Sequence, residues 1–110
     1  MALGDKQSAI ADYNKAIEID PNFAEAYNNR GSVRLALGDK QSAIADYNKA
    51  IEINPNYANA YYGRGNARSE LGETKDAIAD FEKAAELLKK DGNQYWYQNA
   101  LKRLKELRGE

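Results

Sequence analysis

The sequence predicts an all-α fold, a right-handed solenoid of stacked antiparallel helical hairpins. Three observations carry that prediction. The tract from Leu3 to Asn22 returns from Leu37 to Asn56, offset by 34 residues and altered only where Asp20 meets Asn54. A looser copy begins a further 34 residues on, at Leu71-Gly72-Glu73. A fixed period of this length belongs to units that cannot bury their apolar faces alone and therefore stack. Inside each copy the apolar spacing is helical, and glycine and proline punctuate the copies at alternating boundaries.

The elements follow in order. Ala9, Ile10, Tyr13, Ala16 and Ile17 fall on one stripe of a helix. Ala43, Ile44, Tyr47, Ala50 and Ile51 repeat the stripe, as do Ala77, Ile78, Phe81, Ala84 and Ala85. Gly4, Gly38 and Gly72 are expected to take the left-handed turn that ends a helix, with Asp5 and Asp39 capping the next one. Pro21 and Pro55 stop the helices before them, because proline lacks a donor and disfavours helix at the preceding residue. Asn22 with Glu25 reads as a capping-box start, so the next helices are expected over 22–37 and 56–71. Gly31 and Gly65 recur at one phase, where another helix is expected to pack closely. Asp91-Gly92-Asn93 is a turn, and a last helix over 93–107 places Tyr97, Ala100, Leu101, Leu104 and Leu107 on one face. The charged opposite face suits a terminal cap. The chain thus divides into a partial repeat (1–22), full repeats at 23–56 and 57–91, and a capping helix at 92–110.

Charge and composition narrow the function. Both signs are interspersed and the net charge is −1, which argues against a nucleic-acid or membrane-surface binder. The basic residues Lys89, Lys90, Lys102, Arg103, Lys105 and Arg108 are interrupted by Asp91 and Glu106, and read as a solvated face before a phosphate patch. There is no cysteine and no histidine. That removes thiolate chemistry and the commonest general base and metal ligand. No Ser/His/Asp set, phosphate loop or metal cluster is found, so the chain reads as non-catalytic, with no cofactor. No apolar run reaches the roughly 20 residues of a membrane span, and the start is not that of a signal peptide. A cytoplasmic location is favoured on those grounds.

With the helices placed, the residues resemble a tetratricopeptide repeat, the two-helix unit of 34 residues. Tyr27 and Tyr61 stand where the motif has its first aromatic, and Gly31 and Gly65 where it has its small residue. Leu37-Gly38 and Leu71-Gly72 form the junctions. Ala9/Tyr13, Ala43/Tyr47 and Ala77/Phe81 open the second helices, Ala16, Ala50 and Ala84 follow, and Pro21 and Pro55 close the unit. The chain also departs from the pattern. Lys89 replaces the third proline, so that helix is expected to run on to Lys90. Arg30 and Arg64 stand in place of leucine, and Arg34 and Arg68 in place of tyrosine. Each is expected to pair with the aspartate of the second helix, Asp46 or Asp80, because bidentate pairing satisfies both groups; binding of anionic ligands is the alternative.

The resemblance implies a protein-interaction scaffold whose first helices line a concave groove for a peptide or a partner helix. By phase the groove positions are Glu25, Asn28, Asn29, Ser32, Leu35 and Ala36, then Asn59, Tyr62, Gly63, Asn66, Ser69 and Glu70. Asparagine amides donate and accept, and so match a peptide backbone. The ladder of asparagines is broken where Gly63 succeeds Asn29. A carboxylate clamp of the kind that holds chaperone tails is not expected, since Asn28, Asn59 and Gly63 sit where cations would be needed.

An alternative is a structural or engineered building block. The partial first repeat leaves the apolar face of Ile10, Tyr13 and Ile17 short of cover, and self-association there would make a homo-oligomer. Trp96, between Tyr95 and Tyr97, either packs on the cap or anchors a partner.

Overall fold

The structure, a computed structural model, describes residues 3–110. Among them six helices run in order: α1 (Leu3–Ile19), α2 (Ala24–Ala36), α3 (Lys40–Ile53), α4 (Ala58–Glu70), α5 (Thr74–Lys90) and α6 (Gln94–Arg108). They stack in sequence order into an elongated body of 41 × 26 × 21 Å. The hairpins α2–α3 and α4–α5 are the two complete units. α1 packs on α2, and α6 closes the other end against α5.

The hairpin turns obey the expected chemistry. Gly38 and Gly72 adopt φ of +86° and +79° and end α2 and α4, a conformation glycine takes without steric cost. Asp39 occupies the N-cap of α3, but its side chain makes no capping bond. The same Leu-Gly-Asp tripeptide behaves differently at the start of the described chain. Gly4 and Asp5 lie inside α1, so Gly4 ends no helix and Asp5 is no cap.

The proline boundaries also differ from expectation. α2 and α4 start at Ala24 and Ala58, with Phe23 and Tyr57 at the N-caps and no side-chain cap bond. The short polar side chains act one turn earlier. Asp20 Oδ1 accepts from the Asn22 N–H at 3.1 Å, and Asn54 Oδ1 from the Asn56 N–H at 3.2 Å. These side-chain turns bracket the prolines and replace the expected capping box. α6 does use its cap, with Asn93 accepting from the Trp96 N–H.

Two apolar clusters hold the stack. One joins Ala43, Tyr47 and Ala50 of α3 to Ala60 and Ala67 of α4. The other joins Ala58, Ala77, Phe81, Ala84, Leu87 and Leu88 to Ala100 and Leu104 of α6. Alanine dominates because the helices approach closely. A Cβ on Gly65 would meet the Phe81 ring at 3.0 Å, and one on Gly31 the Tyr47 ring at 3.2 Å. Ala100 and Leu104 of α6 are buried, with Tyr97 and Leu107 half-buried beside them. Leu101, at the edge of that stripe, is exposed.

The arginine pairs form as expected. Arg30 Nε and Nη2 donate to the two carboxylate oxygens of Asp46 at 3.0 and 2.7 Å, and Arg34 Nη1 adds a third bond at 2.9 Å. Arg64 and Arg68 hold Asp80 at the same three distances. Each lead arginine also reaches the previous unit. Arg30 Nη1 donates to Asn14 and Arg64 Nη1 to Asn48, both at 2.8 Å. Their guanidinium planes lie over Tyr27 and Tyr61. One side chain thus ties three consecutive helices. The arginines are committed to structure, and Asp46 and Asp80 are 3% exposed.

Candidate functional site

The stacking places α2 and α4 side by side on one surface, and between them lies a cleft of about 390 Å³. Asn28, Ser32 and Leu35 of α2 line it, with Asn59, Tyr62, Gly63 and Asn66 of α4. Tyr47 forms its floor, and Leu88 and Trp96 its far wall. Of the residues picked out by helical phase, Asn28, Ser32, Leu35, Asn59, Tyr62, Gly63 and Asn66 come together here. Glu25, Asn29 and Ser69 do not line the cleft; Glu25 is exposed and the other two are half-buried. Ala36 and Glu70 are exposed on the ends of the two helices.

Three lining residues come from elsewhere in the chain. Tyr47 belongs to the core of α3, yet its hydroxyl reaches Ser32 Oγ at 2.9 Å. It can do so because residue 63 is glycine. A Cβ there would stand 2.5 Å from the Tyr47 ring and 2.8 Å from its hydroxyl. The break in the asparagine ladder is therefore the opening through which a core tyrosine faces the groove. Leu88 of α5 enters because that helix runs on past the point where proline would have stopped it. Trp96 arrives from α6 and stacks edge-on against Tyr62, centroids 5.4 Å apart; Tyr62 meets Phe81 the same way at 5.2 Å. Such edge-to-face pairs fix ring positions beyond simple burial. Trp96 remains 45% exposed, so it both covers the end of the stack and borders the cleft.

The electrostatics are those of a neutral site, for none of the lining side chains is formally charged. Burial pushes the phenols of Tyr47 and Tyr62 up, so both stay protonated hydrogen-bonding groups through neutral pH. Asn28 is 7% exposed, and its Oδ1 has no hydrogen-bond partner among the described residues. Nothing in the cleft resembles a catalytic set. No group of three or more His, Cys, Asp or Glu side chains is placed to hold a metal ion among the described residues. No described helix is long and apolar enough to cross a membrane.

Comparisons with known proteins agree with this architecture. A TPR repeat profile matches residues 1–38 and 31–72, and a tetratricopeptide repeat profile matches residues 58–91. The chain belongs to the tetratricopeptide repeat family, generally a protein-interaction domain. Among solved structures it is similar to the TPR2B domain of yeast Sti1 in its complex with pHsp70, at 26% identity and a TM-score of 0.90, over 96% of this chain and 85% of that one. It is also similar to the first TPR of Spaghetti (RPAP3) bound to the HSP90 peptide SRMEEVD, at 30% identity and 0.82, over 97% and 82%. The Arabidopsis OM64 TPR domain matches at 33% identity and 0.81, over 94% and 83%. A search of curated proteins gave no match.

Proposed function

We propose that this chain is a scaffold whose cleft between α2 and α4 takes a short, uncharged peptide segment led by an apolar or aromatic side chain. One observation carries the reading: the cleft is lined by amides, hydroxyls, leucines and aromatics, with no lysine or arginine. Asn28, Asn59 and Asn66 offer donors and acceptors to a peptide backbone, whatever its side chains. Tyr62, Trp96 and Leu88 offer an apolar wall to one side chain. The unpartnered Asn28 oxygen adds support. A buried acceptor left unbonded costs about 1–3 kcal/mol, and turning the amide toward a bound backbone N–H would recover part of that.

The same lining disfavours the ligand seen with RPAP3. SRMEEVD carries two glutamates and a terminal aspartate. Moving such carboxylates into a cleft without cations would cost hydration with no pairing in return. The four arginines of α2 and α4 are held by Asp46 and Asp80, and Arg103, whose charge acts on the Tyr62 phenol, pairs with Glu106.

Trp96 is the sole tryptophan and reports on its own wall of the cleft. Uncharged peptides with one central aromatic or aliphatic residue should shift its emission on titration, and SRMEEVD should not do so below roughly millimolar concentration. Tyr62→Ala and Asn66→Ala should each weaken the neutral peptide about tenfold, the equivalent of 1.4 kcal/mol. Micromolar binding of SRMEEVD would overturn the reading.

A further inference from the structure

The cleft does not end at Asn59 and Leu88. Both residues also border a second cavity of about 370 Å³, where α3 turns into α4 and α5 into α6. Asn54, Asn56 and Tyr57 line it from the first turn, and Asp91 and Asn93 from the second. A chain lying in the cleft would pass over Asn59 to reach these turns. The two cavities differ in charge. The lining of the cleft carries none, whereas the second cavity holds a carboxylate.

Asp91 is exposed, and none of the ion pairs among the described residues uses it. Lys89 and Lys90 end the same helix, yet neither lines the cavity. Each turn brings one helix C-terminus and one helix N-terminus to the cavity, so the helix dipoles oppose and the carboxylate sets the sign. A second negative charge lies close by. The Tyr57 phenol is pushed up first by burial and then by the Glu25 carboxylate. Asn54 and Asn93 are fixed in their turns, each accepting a backbone N–H through Oδ1. Their amide N–H groups remain to donate to a backbone carbonyl. The cavity thus offers donors to a main chain and a negative field to a side chain, with no lysine or arginine in its lining to cancel that field.

We infer that the second cavity is a subsite for a lysine or arginine of the bound peptide, a few residues from the apolar or aromatic side chain in the cleft; it rests on the cleft holding the peptide as proposed above. In an extended chain, side chains on one face recur every second residue, about 7 Å apart. The anchor and the cation are therefore expected to stand two or four residues apart. An ammonium or guanidinium group there meets Asp91 in partly exposed surroundings, so its gain is modest and falls with salt. A carboxylate at the same place would be repelled.

The probes are acetylated, amidated nonapeptides of glycine and serine with a central phenylalanine and one lysine, placed two or four residues to either side. They are titrated into the intact chain at low salt and followed by Trp96 emission and calorimetry. Norleucine or glutamate replaces the lysine in the control peptides. The best lysine peptide should bind about fivefold tighter than its norleucine counterpart, and the glutamate peptide more weakly than both. The advantage should shrink at roughly 0.5 M salt. It should vanish with Asp91→Asn, which leaves the norleucine peptide unaffected. Asp91 is exposed and caps α5 through its backbone N–H, so that variant folds as the parent does. Tyr62→Ala, in the cleft, should weaken the lysine and norleucine peptides by the same factor. Equal binding of lysine and norleucine peptides at every spacing, or a lysine advantage that survives Asp91→Asn, would overturn the subsite and leave the cleft reading standing. Absence of binding by all the peptides up to roughly millimolar concentration would overturn both.

Discussion

Residue 63 shows how much can turn on one missing methyl. Glycine inside a helix costs about 1 kcal/mol relative to alanine, so Gly63→Ala would stabilise an isolated α4. In the folded chain the added Cβ would lie 2.5 Å from a Tyr47 ring that is 1% exposed, so the ring would have to shift. Displacing a packed ring costs about 1–3 kcal/mol. Gly63→Ala is therefore expected to lower stability by up to about 2 kcal/mol net, read from the urea midpoint, and to break the Tyr47–Ser32 bond that floors the cleft. That role was not legible in the sequence. Helical phase put Gly63 on the groove and Tyr47 in the core, and each placement is right. Their meeting depends on how far apart α3 and α4 lie, which no residue spacing records. Leu88 escaped for the same reason, and Trp96, read as a cap residue or a partner anchor, was not assigned to the groove that it reaches from α6.

At the scale of the helix, the arginine–aspartate joints were legible because charge stood where the repeat pattern calls for an apolar side chain. A buried charge needs a partner, and only the second-helix aspartates fell at a matching phase. Removing one partner of such a joint leaves the other uncompensated. Asp46→Ala is expected to destabilise the chain by about 3 kcal/mol or more, and Asp80→Ala similarly, both by chemical unfolding. Asp12→Ala removes the same residue from the same sequence context and should change stability by less than about 0.5 kcal/mol, because Asp12 is exposed. That contrast separates tertiary pairing from any intrinsic effect of the residue on its helix. Helix ends were less legible. Asn22 looked like a cap, but it lies before the N-cap Phe23, because Asp20 takes its N–H into the turn around Pro21.

For the molecule as a whole, the buried phenols set the alkaline limit. Tyr47, Tyr57 and Tyr62 all have pKa values raised, in each case chiefly by burial. In the unfolded chain tyrosines ionise near pH 10. The folded chain keeps these protons to higher pH, so above about pH 10 the unfolded state binds fewer protons and stability must fall as pH rises. Below that pH the contribution is fully present. Urea midpoints measured across this range should decline, and Tyr47→Phe should flatten the decline, with the ring itself tolerated as Phe81 is at the equivalent place in the next hairpin. The stack and its order were readable from the 34-residue period alone; the neutrality of the cleft required knowing which phased residues converge.

The two arginine joints agree at all three clamp distances and in the reach back to the preceding asparagine. A connection that is identical wherever it occurs makes the unit interchangeable. If recombination between the near-identical tracts at 3–22 and 37–56 dropped or added one copy, every remaining helix would still meet the neighbour chemistry it was built for. What would change is the length of the stack. In such a lineage the scaffold can grow or shrink by whole units while each joint keeps its geometry.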